Sequence, residues 1–179
     1  VKTSAAFRFV VARTWSQLFW KRTRREAGPS VEVLEARIAP ATFTGAGATL
    51  TIDLNNVSEL VTFSTNGTTI TATLTGGTVV DGGGLGANVT GLGTGMASIT
   101  SGAFTTINIT DSSIGDSVAF ANSPGSYTQT FGITLNDAAS GNVSFTGSSS
   151  FTGSLSATTT AGFIASDAAS TLAFSGAAN

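Results

Sequence analysis

The sequence has no cysteine and no histidine, and its single methionine is Met96. Without thiols there is no disulfide scaffold and no thiolate metal site, and without imidazole the commonest general base is missing. Proline is scarce, with three in the chain, and positive charge is scarcer still beyond Arg37. All eight Lys and Arg residues fall in the first 37 positions, and the 142 residues that follow contain none. Those 142 residues carry a net charge of −7, from Asp53, Glu59, Asp81, Asp111, Asp116, Asp137 and Asp167. Such a body repels phosphates and excludes nucleic acid as its partner. Long hydrophobic runs are absent too, since no stretch approaches the ~18–20 apolar residues that span a bilayer.

What remains is two materials joined end to end. Residues 1–37 set eight bases against Glu26, Glu32 and Glu35, for a net charge of +5. Within them Phe7, Val10, Val11, Trp15, Leu18 and Phe19 follow an i, i+3, i+4, i+7 stripe that Gly28-Pro29 ends, which predicts a helix from about Thr3 to Glu26. This gives three regions: a basic amphipathic helical arm over 1–27, a linker over 28–43, and a body over 44–179. Three roles fit the arm. It lies on an anionic membrane surface, it caps the first exposed turn of a repeat body, or it serves as a targeting segment for export machinery. The chain begins at Val1 rather than Met and stops at Asn179 without a cap signal, which reads as a fragment or a processed piece.

In the linker, Leu34-Glu35-Ala36-Arg37-Ile38-Ala39-Pro40-Ala41 follows directly on the basic arm. This segment resembles the LEPR-XLL type of N-terminal motif found in very long, secreted, repeat-rich bacterial proteins. Leu34, Glu35 and Arg37 match that pattern directly, whereas Ala36 stands where the name-giving proline would be and Ile38-Ala39 replaces the usual leucines. The resemblance covers about eight residues and implies an exported or cell-surface protein whose sorting motif is Leu34, Glu35, Arg37 and Pro40. Read without the family, the same residues are an amphipathic turn ending at Pro40, a processing site at Ala39-Pro40-Ala41, or a plain linker.

The body alternates. Leu50, Ile52 and Leu54, then Ile70, Ala72 and Leu74, then Ile107 and Ile109 are separated by single polar residues, the period-two pattern of half-buried strands. A repeat can be written as apolar-x-apolar-x-Asp/Asn, a small-residue bend, then apolar-x-Phe. It occurs at Ile52 to Phe63, Ile107 to Phe120, Ile133 to Phe145 and Phe163 to Phe174, with a degenerate copy around Val79, Asp81 and Val89. The mean period is about 28 residues, and fixed periods of ~20–50 residues indicate repeat architectures. The expected fold is all-β, a parallel β-solenoid (β-helix) of about five coils behind an N-terminal amphipathic helix; the alternative is a β-sandwich.

One polar feature recurs, a column of Asp81, Asp111, Asp137 and Asp167 with Asn56 in register. It offers a line of calcium ligands or a carboxylate pair for cutting a sugar bond, while its plain reading is an Asx turn ending each strand. Asp81-Gly-Gly-Gly-Leu-Gly86 lacks the Lys-Ser/Thr of a phosphate loop and reads as a wide bend. No nucleophile can be matched with a base, so the expectation is no enzyme, no catalytic residue, no cofactor and no metal. The function expected is a structural or adhesive repeat module, secreted or on a bacterial cell surface, with a glycan or cell-surface protein as ligand and further repeats of the parent chain beside it. The alternative is a polysaccharide-degrading β-helix enzyme using stacked Asp residues.

Overall fold

The structure, a computed structural model, describes residues 40–135, 141–160, 162, 164–166 and 171–174. The expected N-terminal helix lies outside these residues, as do Leu34, Glu35 and Arg37. The described part is all-β, with sixteen strands and a single 3₁₀ turn at Gly86–Asn88. In chain order the strands are β1 (Ala41–Ala46), β2 (Thr49–Leu54), β3 (Leu60–Thr65), β4 (Thr69–Thr75), β5 (Val79–Gly83), β6 (Val89–Thr90), β7 (Met96–Thr100) and β8 (Thr106–Asp111). They continue as β9 (Ser117–Phe120), β10 (Ser126–Tyr127), β11 (Thr130–Leu135), β12 (Asn142–Phe145), β13 (Ser148–Phe151), β14 (Leu155–Thr159), β15 (Ile164–Ser166) and β16 (Thr171–Phe174).

Three sheets result, and two of them are mixed. The first runs β14-β11-β8-β2-β1-β5, the second β15-β12-β9-β3-β4-β7-β6, and the third β10-β13-β16. From β8 onward the chain visits the three sheets in rotation, and each strand pairs in parallel with its predecessor in the same sheet. Ile107 lies opposite Phe131, and Phe131 opposite Leu155. Val118 lies opposite Val143, and Tyr127 opposite Phe151. These partners are 24 or 25 residues apart, a shorter repeat than the expected 28.

Alternation decides what these ladders bury. In β2, Leu50, Ile52 and Leu54 point inward with no exposure, while Thr49, Thr51 and Asp53 point outward. Parallel register then stacks like on like. Val61, Val118 and Val143 form one row and Phe63, Phe120 and Phe145 another. The Phe63 and Phe120 rings stack with centroids 5.6 Å apart, and Phe120 and Phe145 at 5.3 Å. From the third sheet, Tyr127 and Phe151 stack at 4.9 Å and meet Phe120 edge-on. Aromatic pairs in these geometries add about 0.5–1.5 kcal/mol each beyond area burial.

Register is where the structure departs from the expected repeat. The anticipated row of Ile52, Ile107 and Ile133 is shifted by two residues, for Ile109 lies between Ile52 and Ile133. Phe174, expected beneath Phe145, instead pairs with Phe151 in the third sheet. No degenerate coil surrounds Val79 and Val89. Residues 66–105, inserted between β3 and β8, carry three strands that pair antiparallel, β4 on β3, β7 on β4 and β6 on β7, and β5, which pairs in parallel. Together with β1 on β2 and β5 on β1, they cover the first edges of the two large sheets. That edge ends in the two-residue β6 and the glycine-bearing, bulged β5, which are devices that discourage pairing with other chains.

Candidate functional site

The anticipated carboxylate column does not assemble among the described residues. Asp81 sits on β5 opposite Phe43, and its Oδ1 accepts the Gly83 amide at 2.7 Å, the Asx turn of the plain reading. Asp111 lies opposite Leu54 rather than Asn56, and Asn56 turns away to donate its Nδ2 to the Gly76 carbonyl at 2.8 Å. Asp137 and Asp167 lie outside the described residues. Pro40 is the one member of the sorting motif that is described; its carbonyl accepts Asn55 Nδ2 at 3.2 Å.

A different acidic pair comes together at the corner between the first two sheets. Glu59 and Asp116 each precede the row of Val61 and Val118 by two residues, and both are fully buried. Asp116 Oδ1 accepts the Glu59 backbone amide at 2.8 Å, and its Oδ2 accepts the Ser113 hydroxyl at 3.1 Å. The Glu59 carboxyl has no hydrogen-bond partner on either oxygen, and it packs so closely on Gly77 that a Cβ there would overlap Oε1. Burial pushes its pKa from 4.5 to about 7; the Asp116 carboxylate adds to the rise, while the backbone amides of Asn56, Asn55 and Ala41 pull the other way. Among the described residues no three His, Cys, Asp or Glu side chains gather as metal ligands.

This pair was legible in the sequence only as an acid at the same offset before two copies of Val-x-Phe.

An open groove of about 310 Å³ lies on the outer side of β3 and β4, lined by Ser64, Thr65, Asn66, Thr69, Thr71, Asn122 and Pro124. The turn after β3 builds one wall. Asn66 Oδ1 accepts the amides of Thr68 and Thr69 and the Thr68 hydroxyl at 2.8–2.9 Å, so the carboxamide is fixed with its oxygen turned in. The bend 121–125 builds the other wall. There Asn122 Oδ1 accepts the Ser148 amide at 3.2 Å, and Ser123 accepts the Thr65 amide at 3.1 Å while bonding the Tyr127 hydroxyl at 3.0 Å. Burial pushes the Tyr127 pKa up to about 12, which keeps that hydroxyl protonated across the range in which proteins fold. The walls can approach only because of Gly125, where a Cβ would run into the Asn66–Gly67 backbone.

No described helix is long and apolar enough to cross a membrane. No protein-family model, curated protein or solved structure matches the chain.

Proposed function

We propose that this chain is a non-catalytic structural and adhesive repeat module of an exported or cell-surface bacterial protein, a β-solenoid carrying a basic sorting arm. The observation that supports it most is the in-register parallel pairing of β8, β11 and β14, of β9, β12 and β15, and of β10, β13 and β16. Three strands per turn, returning to the same sheet after 21 to 25 residues, is the pattern of a coil that climbs one strand spacing, ~4.8 Å, per turn. The added strands β1 and β4 to β7 already cover the first edge, which favours sorting over capping as the role of the arm and of Leu34, Glu35, Arg37 and Pro40.

At the other edge Ile164 continues the buried row of Val61, Val118 and Val143, yet it is 53 % exposed. A further repeat of the parent chain laid over β14, β15 and β16 would bury it. The polysaccharide-cleaving alternative finds less support. The two carboxyls that do meet, on Glu59 and Asp116, are sealed from solvent and out of reach of a glycosidic oxygen.

Export is tested by producing the full chain in a bacterial host and measuring its susceptibility to protease added outside the cells. The native chain is expected at the surface or in the medium, and a Leu34→Ala, Glu35→Ala, Arg37→Ala triple variant inside. Equal distribution of the two removes the sorting role. Release of reducing ends from a polysaccharide panel, lost when Asp111→Asn is combined with Asp137→Asn in a folded chain, would overturn the non-catalytic reading.

A further inference from the structure

We infer that the groove between the β3–β4 turn and the bend 121–125 is a binding site for a neutral saccharide of one or two rings; this rests on the adhesive reading and gives it a place and a ligand class. The lining is uncharged throughout, and residues 38–179 hold no cation to pair with an acidic ligand. Its apolar contribution is limited to Pro124 and threonine methyls, too little to anchor a peptide through apolar side chains. What it offers is hydrogen-bonding capacity in both directions, which is the chemistry of a sugar hydroxyl.

Two carboxamides carry the argument. Asn66 and Asn122 both line the groove, each with Oδ1 accepting from the backbone, so that the Nδ2 groups are left as donors to an incoming oxygen. Ser64 and Thr71 stand beside them on the outward faces of β3 and β4, with hydroxyls that both donate and accept. The turn and the bend hold these groups before any ligand arrives, which reduces the ordering cost of binding. Their volume lies at the small end of ligand sites, ~300–1,000 Å³, and sets the limit of one or two rings.

The test uses the full chain, titrated with neutral mono- and disaccharides of gluco, galacto, manno and N-acetylglucosamine type and with glucuronic acid, read by saturation-transfer NMR and calorimetry. At least one neutral sugar is expected to bind in the millimolar range or tighter, and glucuronic acid at least tenfold more weakly. Asn66→Asp and Asn122→Asp keep the inward oxygen that holds the turn and the bend but remove the donors, and each is expected to weaken binding at least tenfold with unchanged circular dichroism. Thr134→Ala, distant from the groove, should leave it unchanged. Binding of no neutral sugar, equal binding of glucuronic acid, or full binding by the Asn66→Asp, Asn122→Asp double variant overturns the inference. None of these results bears on the surface-exposure assay, so the saccharide site and the exported module stand or fall separately.

Discussion

The stretch from β8 to β14 and the stretch from β1 to β7 use the same alternating Thr-rich strands, yet one pairs in parallel and the other mostly antiparallel. The connections make the difference. Between β1 and β2 lie only Gly47-Ala48, with Gly47 at φ 59°, and between β3 and β4 only Asn66-Gly67-Thr68, with Gly67 at φ 93°. Such short links fold a strand back on its neighbour. From β8 onward the links lead to a different sheet, and a strand next meets its own sheet a full turn later. The aromatic core follows suit: Phe120 contacts the rings of Phe63, Tyr127, Phe131, Phe145 and Phe151, whereas β1 and β4 to β7 contribute Phe43 alone.

The largest expected effect breaks that comparison at its centre. Phe120→Ala should destabilise the chain by about 3–5 kcal/mol, measured by urea denaturation. Val80→Ala on β5, already 38 % exposed, should change stability by no more than about 0.5 kcal/mol. Equal losses would mean that the parallel ladders hold no more of the stability than the strands covering their first edge.

Glu59 comes next, at the corner where the two regions meet. Its folded pKa, about 7, lies above its ordinary 4.5, so the folded state holds the proton more tightly. This group therefore costs nothing below pH 4.5, and its cost grows as pH rises from 4.5 to 7 and levels off above, at up to about 3 kcal/mol. Melting followed from pH 5 to pH 8 should show that decline, and Glu59→Gln should flatten it. A pH profile unchanged by the substitution contradicts the unpartnered carboxyl.

The smallest effect is a contrast in local opening. Amides of β8 and β11, paired on both sides, should exchange with deuterium at least about tenfold more slowly than those of β5 and β6 at the sheet edges. Similar rates would dissolve the distinction between stack and cover.

The all-β class and the inward faces were readable because period-two alternation states which residues share a side. The rows Val61, Val118, Val143 and Phe63, Phe120, Phe145 came through for the same reason. Register did not, because a slip of two residues leaves every side chain on its original face. Phe131-x-Ile133-x-Leu135 offers three inward residues, and aligning Ile107 with Ile133 or with Phe131 buries equally apolar sets. The hairpin over β3 and β4 carried its own signal in Asn66-Gly67, which interrupts the uniform repeat. As for the groove, its walls come from residues 64–71 and 122–124, and only the close approach at Gly125 joins them.

The parallel stack is tested most directly by cross-linking, since the chain has no cysteine of its own. Thr110 and Thr134 are outward-facing partners on β8 and β11. Adjacent strands lie ~4.8 Å apart, within the Cα separation of ~4.4–6.8 Å that a disulfide spans. A Thr110→Cys, Thr134→Cys chain should therefore close a disulfide under mild oxidation and keep its fold, while Asn108→Cys with Thr134→Cys, two residues out of register, should not. Efficient closure of the second pair and none of the first would contradict the 24-residue parallel register on which the account stands.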